Sequence, residues 1–419
     1  MKCTSVNLVK IYITIFLVIL SCILYEAYRQ ITNVKRQKRQ LLYNFYDENL
    51  DNITYTDILE TRFSEKKILI ANILRMKDEI KTINTKQKVY NRYRLGPIRP
   101  RTVVVVIQVH SNIFYLRELL KSLKHVNAIS KSLLIFSHDY YDDEINNLIT
   151  NVTFAKYTQI FYPFSIQLHP EIFPGADPNL CTEEFDCVQS NLRDPEAAQS
   201  KNHWWWQVNH IFDHLESTID YNGTIIFLEE DNYVSADVIY IFRLLQSVRK
   251  ENCANCEIIS LGANVPSLSQ YNVYTGDVSI KTWDDSIYKT GLAFDRRVWN
   301  IMKGSSYDFC YFNDFNWDSS LKNIAAKRQG RFVVVAIDGP RVFRYEKCDD
   351  NNPGCKMEYK VNEVKKFAGI ISRGLYPAHA ELNVTDNYNF NPIASGFFND
   401  VRDKELCMYF TKHEFLSSR

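Results

Sequence analysis

The chain has 419 residues, a formal net charge of +1, and 46% hydrophobic and 14% aromatic content. That is apolar material enough for a sizeable core, and the near-zero charge excludes a global electrostatic case for a nucleic-acid partner. Any anionic ligand must be held by a local site.

Residues 1–10 read as a short cytoplasmic tail and 11–28 as a transmembrane signal-anchor. The stretch from Ile11 to Leu24 carries no charge, and no clean small-x-small cleavage pattern follows it. A cleaved signal peptide is the alternative. Flanking charge does not orient the segment: Lys2 and Lys10 precede it, but Arg29, Lys35, Arg36, Lys38 and Arg39 follow it. Asn-x-Ser/Thr sequons at Asn52, Asn151, Asn222 and Asn383 favour a luminal body. So does the even set of later cysteines: Cys181, Cys187, Cys253, Cys256, Cys310, Cys348, Cys355 and Cys407. Cys253 and Cys256 could be half of a zinc site, but no second close Cys/His pair accompanies them, and a local disulfide is favoured.

Residues 29–100 read as a stem. Ile68, Ile73, Met76, Ile80 and Ile83 predict one amphipathic helix from Ser64 to Ile83, a face that could self-associate into a homodimer but is too short for a coiled coil. Leu95-Gly96-Pro97 breaks that helix and opens a body over 101–419.

The body begins with a buried strand, Thr102–Gln108. A helix with Ile113, Leu116, Leu120 and Leu123 on one face follows, then a strand, Leu133–Phe136. Strand, helix, strand at this spacing is the crossover unit of a parallel sheet. Asp194-Pro195-Glu196 starts a long helix, with an N-cap, a proline in the first turn and an acid at the positive end. Further strands are predicted at Thr224–Leu228, Glu257–Leu261 and Phe332–Ile337. The fold class is α/β, and ligands in such sheets sit beyond the carboxyl ends of the strands. Those ends carry Gln108-Val109-His110, Ser137-His138-Asp139 and Glu229-Glu230-Asp231.

The strand period puts Glu229 and Asp231 on one face. Carboxylates crowded at a strand end repel unless a cation or donor compensates, and hard divalent ions that bridge diphosphates suit such oxygens. Alone, an acidic strand-to-loop turn is a weak signal. A second acidic group, Asp314 and Asp318 among Phe315 and Trp317, could supply a base, or be an ordinary loop.

Twelve segments, taken together and in order over about 101–410, resemble the N-acetylglucosaminyltransferase II family. They include Val106–His110, Leu134–Asp139, Phe161–Leu168, His203–Trp206, Ile226–Asp231, Gly291–Ala293, Phe315–Asp318, Pro340-Arg341 and Asp400–Asp403. The resemblance implies a GT-A (Rossmann-like) domain of type II topology in the Golgi membrane. It implies UDP-GlcNAc as donor, an N-glycan mannose as acceptor, Mn²⁺ as cofactor, and inverting beta-1,2 transfer. By matching positions, Asp318 would be the general base and Asp231 the metal carboxylate. Gln108, Val109, His110, Ser111, Asn112 and Asp139 would hold the nucleotide, and Gln199, Ser200, Lys201, Asn202 and His203 would contact the donor. The same positions imply disulfides Cys181–Cys187, Cys253–Cys256, Cys310–Cys407 and Cys348–Cys355.

Four positions depart from the family pattern. Arg344 stands where the family has a metal-ligating histidine, and a guanidinium donates only. The metal then binds through Asp231, diphosphate and water alone, or the guanidinium replaces part of its charge, or the enzyme is impaired. Asn112 stands at a family arginine. Leu268 and Lys289 stand at substrate-contacting arginine and asparagine positions. The alternatives are therefore a related GlcNAc-transferase with another mannose acceptor, or a catalytically silent Golgi glycan-binding protein.

Overall fold

The computed structural model describes residues 64–175, 193–262, 276–283, 289–312, 316–327, 332–345, 356–384 and 400–412. The predicted anchor, Leu268, Asp314 and cysteines 181, 187, 348 and 355 lie outside them. No helix among the described residues is long and apolar enough to cross a membrane. Two compact units are distinguished, Met1–Leu74 and Arg75–Arg419. Of the first, only the opening of helix α1 (Ser64–Lys86) is described.

The second unit includes the part of α1 from Arg75 onward, ahead of the break at Gly96. Ile80 of α1 is buried with Tyr141, Phe161 and Leu168, and Met76 and Ile83 pack against the same cluster. Asn84 also exchanges hydrogen bonds with the backbone of Phe161, at 2.7 and 2.8 Å. The apolar face that suggested self-association is, from Met76 onward, covered by the body itself.

The body is built from β1 (Val104–Val109), α2 (Ile113–Lys124), β2 (Leu133–His138), α3 (Asp143–Thr150), β3 (Lys156–Phe161) and α4 (Pro195–Asp213). After them come β4 (Ile225–Glu229), β5 (Asn232–Val234), α5 (Val238–Asn252), β6 (Ile258–Ser260), β7 (Asp277–Thr282) and β8 (Leu292–Phe294). The later elements are α6 (Arg296–Gly304), α7 (Ser306–Cys310), α8 (Trp317–Lys327), β9 (Val333–Ile337), β10 (Val342–Arg344), α9 (Met357–Ile371), β11 (Glu381–Val384) and α10 (Val401–Lys412). Among the described residues a nine-stranded sheet runs β11-β7-β9-β6-β8-β4-β1-β2-β3, and β10 pairs β5 in a separate ribbon.

β1 is parallel to both neighbours, β2 and β4. Every residue of β1 is buried, which is why it reads as an unbroken apolar run and not as an alternating one. The sheet is mixed, because β8 is antiparallel to both β4 and β6. The chain moves outward from β1 to β2 and β3, then returns to β4 on the other side of β1. That reversal leaves a crevice beyond the carboxyl ends of β1 and β4, where α/β sheets bind ligands.

Local chemistry sets the elements that face this crevice. Asn112 caps α2 by accepting from Tyr115 N, and Asp194 caps α4 by accepting from Glu196 N and Ala197 N. Each cap satisfies backbone donors that the first helical turn leaves open. Disulfides join Cys253 to Cys256 and Cys310 to Cys407. The second ties α7 to α10, which packs along α4.

Candidate active site

A cleft of about 1200 Å³ opens at the ends of β1 and β4. Its lining includes Gln108, His110, Ser111, Asn112, Asp139, Gln199, Ser200, Glu229, Glu230, Asp231, Lys289, Asn316, Trp317, Asp318 and Arg344. Residues as far apart in sequence as Gln108 and Arg344 are thus gathered by the sheet reversal, the α4 N-terminus, the start of α8 and the β10–β5 ribbon.

Glu230 organises the loop after β1. Its carboxylate accepts from His110 N at 2.8 Å and Asn112 N at 3.1 Å. Burial pushes its pKa up to about 7, against the opposing pull of those donors and of His110. Asp139, at the end of β2, accepts from His110 Nδ1 at 2.7 Å and lies 3.4 Å from His203 Nδ1. Burial alone would lower the His110 pKa, but the Asp139 carboxylate raises it to about 9. Burial also opposes the charge of Asp139, yet the two imidazoles hold its carboxyl well below the usual range. Buried His203 is kept below its ordinary value by desolvation, and its Nε2 meets Ser137 Oγ at 2.8 Å.

The side of the cleft nearest β4 is a set of ion pairs. Arg344 lies opposite Asn232 in the β10–β5 ribbon. Its Nε donates to Asp231 Oδ2 and its Nη2 lies against Glu229 Oε2, both at 3.0 Å. Glu229 first, and then Asp231, raise the Arg344 pKa further, against burial. Asp318, in the first turn of α8, accepts from Ser319 N at 2.9 Å and from Lys289 Nζ at 2.7 Å. Behind it, Trp317 stacks on Trp204 of α4, with centroids 4.5 Å apart. Lys289 is held close by the turn at Gly291, whose φ is 64° and where a Cβ would stand 2.8 Å from Val342 Cγ2. That close approach favours glycine.

Several sequence-predicted residues do not reach the cleft. Val109 is fully buried in the core. Lys201 donates to Cys310 O at 3.3 Å and Asn202 to Asp403 O at 3.4 Å, so these two anchor α4 against α7 and α10. They sit on the helix face turned toward those elements, whereas Gln199 and Ser200 line the cleft. His203 is wholly buried, between Asp139, Ser137 and Gln108, and does not line the cleft. Sequence reading set Glu229 and Glu230 beside Asp231 as a group of strand-end carboxylates but gave neither a role of its own, and it did not single out Trp317 as a wall. The signal for Glu229 was its place two residues before Asp231.

Two groups bear on a metal. His110, Asp139 and His203 bring ligand atoms within 4.8 Å of one another, close enough for one cation. Hydrogen bonds among them already account for the same atoms. Around Asp231 the donor set does not fit a divalent ion: the one guanidinium spans both carboxylates and offers no lone pair.

At the strand ends of this α/β sheet the cleft joins a buried carboxylate, Asp318, to a guanidinium fork, Arg344, a pairing of acid and cation suited to group-transfer chemistry. The model of the family N-acetylglucosaminyltransferase II (MGAT2) matches residues 77–407, and the chain belongs to this family. It is a glycosyltransferase. It is similar to the Homo sapiens alpha-1,6-mannosyl-glycoprotein 2-beta-N-acetylglucosaminyltransferase, at 31% identity over 80% of this chain and 79% of that one. The protein of the same name from Arabidopsis thaliana is 29% identical over 75% and 76%. Among solved structures, S. aureus TarS 1-349 in complex with UDP-GlcNAc aligns with a TM-score of 0.33 at 8% identity, covering 64% of this chain and 66% of that one. The mannosyltransferase PcManGT from Pyrobaculum calidifontis gives 0.32 at 10%, covering 67% and 69%.

Proposed function

We propose that this glycosyltransferase moves GlcNAc from UDP-GlcNAc to the 2-hydroxyl of the alpha-1,6-linked mannose of an N-glycan core, with inversion, on a GT-A body. The carrying observation is the position of Asp318. Its buried carboxylate opens onto the same cleft as Gln108, His110, Asn112 and Asp139 at the strand ends. A base on one wall and a nucleotide platform on the other suit a single displacement. The mannose oxygen bonds to C1 of GlcNAc, the bond from C1 to the β-phosphate oxygen breaks, and UDP leaves with that electron pair. The hydroxyl proton passes to Asp318, which must first exchange Lys289 for the acceptor.

Mn²⁺ is the ion that the family resemblance implies, and the group that could take it is His110, Asp139 and His203. No step above depends on it. The Lys289–Asp318 pair favours a second reading, transfer to a different mannose, because it places a cation where the acceptor meets the base. The proposed setting is the Golgi lumen behind a type II anchor. It is supported by the apolar segment at 11–28, by the two disulfides and by the exposure of sequon residues Asn151, Asn222 and Asn383.

The test is a donor and product analysis with the full chain. UDP-GlcNAc should serve and GDP-mannose should not. Proton NMR of the product should show a beta anomeric coupling on the new GlcNAc and a shifted mannose H2. An alpha coupling, or transfer to another position, would replace this reading.

A further inference from the structure

We propose that Arg344 is the built-in cation of the donor site, binding the diphosphate of a nucleotide sugar without a divalent metal. This rests on the donor reading above and deepens it. The geometry is that of a fork. One guanidinium meets Asp231 Oδ2 through Nε and Glu229 Oε2 through Nη2, each at 3.0 Å. The Arg344–Asn232 register and the bond from Tyr345 N to Asp231 O, at 2.8 Å, fix the backbone on both sides of the pair. Arg344 therefore supplies, covalently, one positive charge shared by the two carboxylates.

The fork is not used up by this. Nη1 has no partner among the described residues, and the side chain is 39% exposed toward the cleft. Guanidinium N–H groups match phosphate oxygens in pairs, and arginine keeps its charge at every working pH. A divalent ion at Asp231 would have to sit beside that fixed positive charge and compete for the same carboxylate oxygen. Lys289, on Asp318 at 2.7 Å, brings a second positive charge into the cleft. Arg344 and Lys289 together bring two positive charges to the three carboxylates Glu229, Asp231 and Asp318.

The test is calorimetric titration of UDP into the full chain, stripped with EDTA and checked for residual metal by mass spectrometry. Wild-type protein, Arg344→Gln and Arg344→His are compared in EDTA and in Mn²⁺. Expected are UDP binding by metal-free wild type, little changed by Mn²⁺, and a loss of about 10-fold or more in EDTA for Arg344→Gln, the size of a charge-assisted contact. Arg344→His should bind tightly only with Mn²⁺. Wild-type binding that requires Mn²⁺, a stoichiometric metal that survives EDTA, or unchanged binding by Arg344→Gln would each overturn the proposal. The wild-type titration decides it even if the variants fail to fold. No UDP binding with or without Mn²⁺ would instead sink the donor reading, and this inference with it.

Discussion

Replacing Asp237 by asparagine should destabilise the body far more than a surface change would, and should do so through the ribbon that carries Arg344. Asp237 and Arg341 are both fully buried and paired at 2.9 Å. Asp237 also accepts from Tyr376 N at 3.0 Å, and Arg341 donates to the carbonyls of Gly339 and Gly374. Asparagine keeps the shape but removes the charge that faces the buried guanidinium. Breaking one side of a buried pair costs roughly 3–5 kcal/mol, whereas replacing both sides by apolar groups is often nearly neutral. With about 2 cal/mol/K of unfolding entropy per residue, a body the length of residues 75–419 should lose roughly 4–7 °C in Tm. Differential scanning calorimetry of Asp237→Leu, Arg341→Met and the double variant completes a cycle, with Asp237→Asn measured beside it. The double variant should recover most of the loss. A single variant melting like wild type, or a double variant as unstable as the sum of the two, would refute the reasoning.

Asp318→Asn should slow transfer by about 100- to 10,000-fold, the usual worth of a general base, while UDP affinity measured by calorimetry is unchanged. His210 stacks on Trp206, and neither ring nitrogen has a partner among the described residues. Burial, and then His214, lower its pKa to about 3. The unfolded chain therefore binds its proton between about 6.5 and 3 and the folded chain does not. That stability is complete above about 6.5 and is lost as pH falls, by roughly 4–5 kcal/mol across the window. His210→Phe should flatten the acid limb of a Tm-against-pH curve, and an unchanged limb would exclude this histidine as its source. Cys407→Ser opens a loop closed across a separation of 97 residues, which should cost roughly 4–5 kcal/mol in denaturant unfolding.

The central sheet was legible because its strands are buried on both faces. Val104–Val109 and Ile225–Glu229 read as apolar runs whose polar ends mark the cleft. Short antiparallel strands such as β8, with three residues, carry too little pattern to be read before their neighbours are known. The N-cap at Asp194 was legible from Pro195, since capping is local chemistry. The direction of each α4 side chain was not, which is why Lys201 and Asn202 were grouped with Gln199 and Ser200. The packing of α1 was not legible for a similar reason: Gly96-Pro97 is a local break, but the burial of Ile80 against Phe161 is a tertiary event. Arg344 was legible as a departure, and only the structure joins it to Glu229 as well as Asp231.

The most direct measurement is GlcNAc transfer from UDP-GlcNAc by the full chain to two N-glycan cores, both already carrying GlcNAc on the alpha-1,3 arm. One has a free 2-hydroxyl on its alpha-1,6-linked mannose, and the other is 2-deoxy there. The account predicts one GlcNAc added to the first core, none to the second, and loss of the product with Asp318→Asn. Equal transfer to both cores, or transfer by Asp318→Asn at close to the wild-type rate, would contradict it.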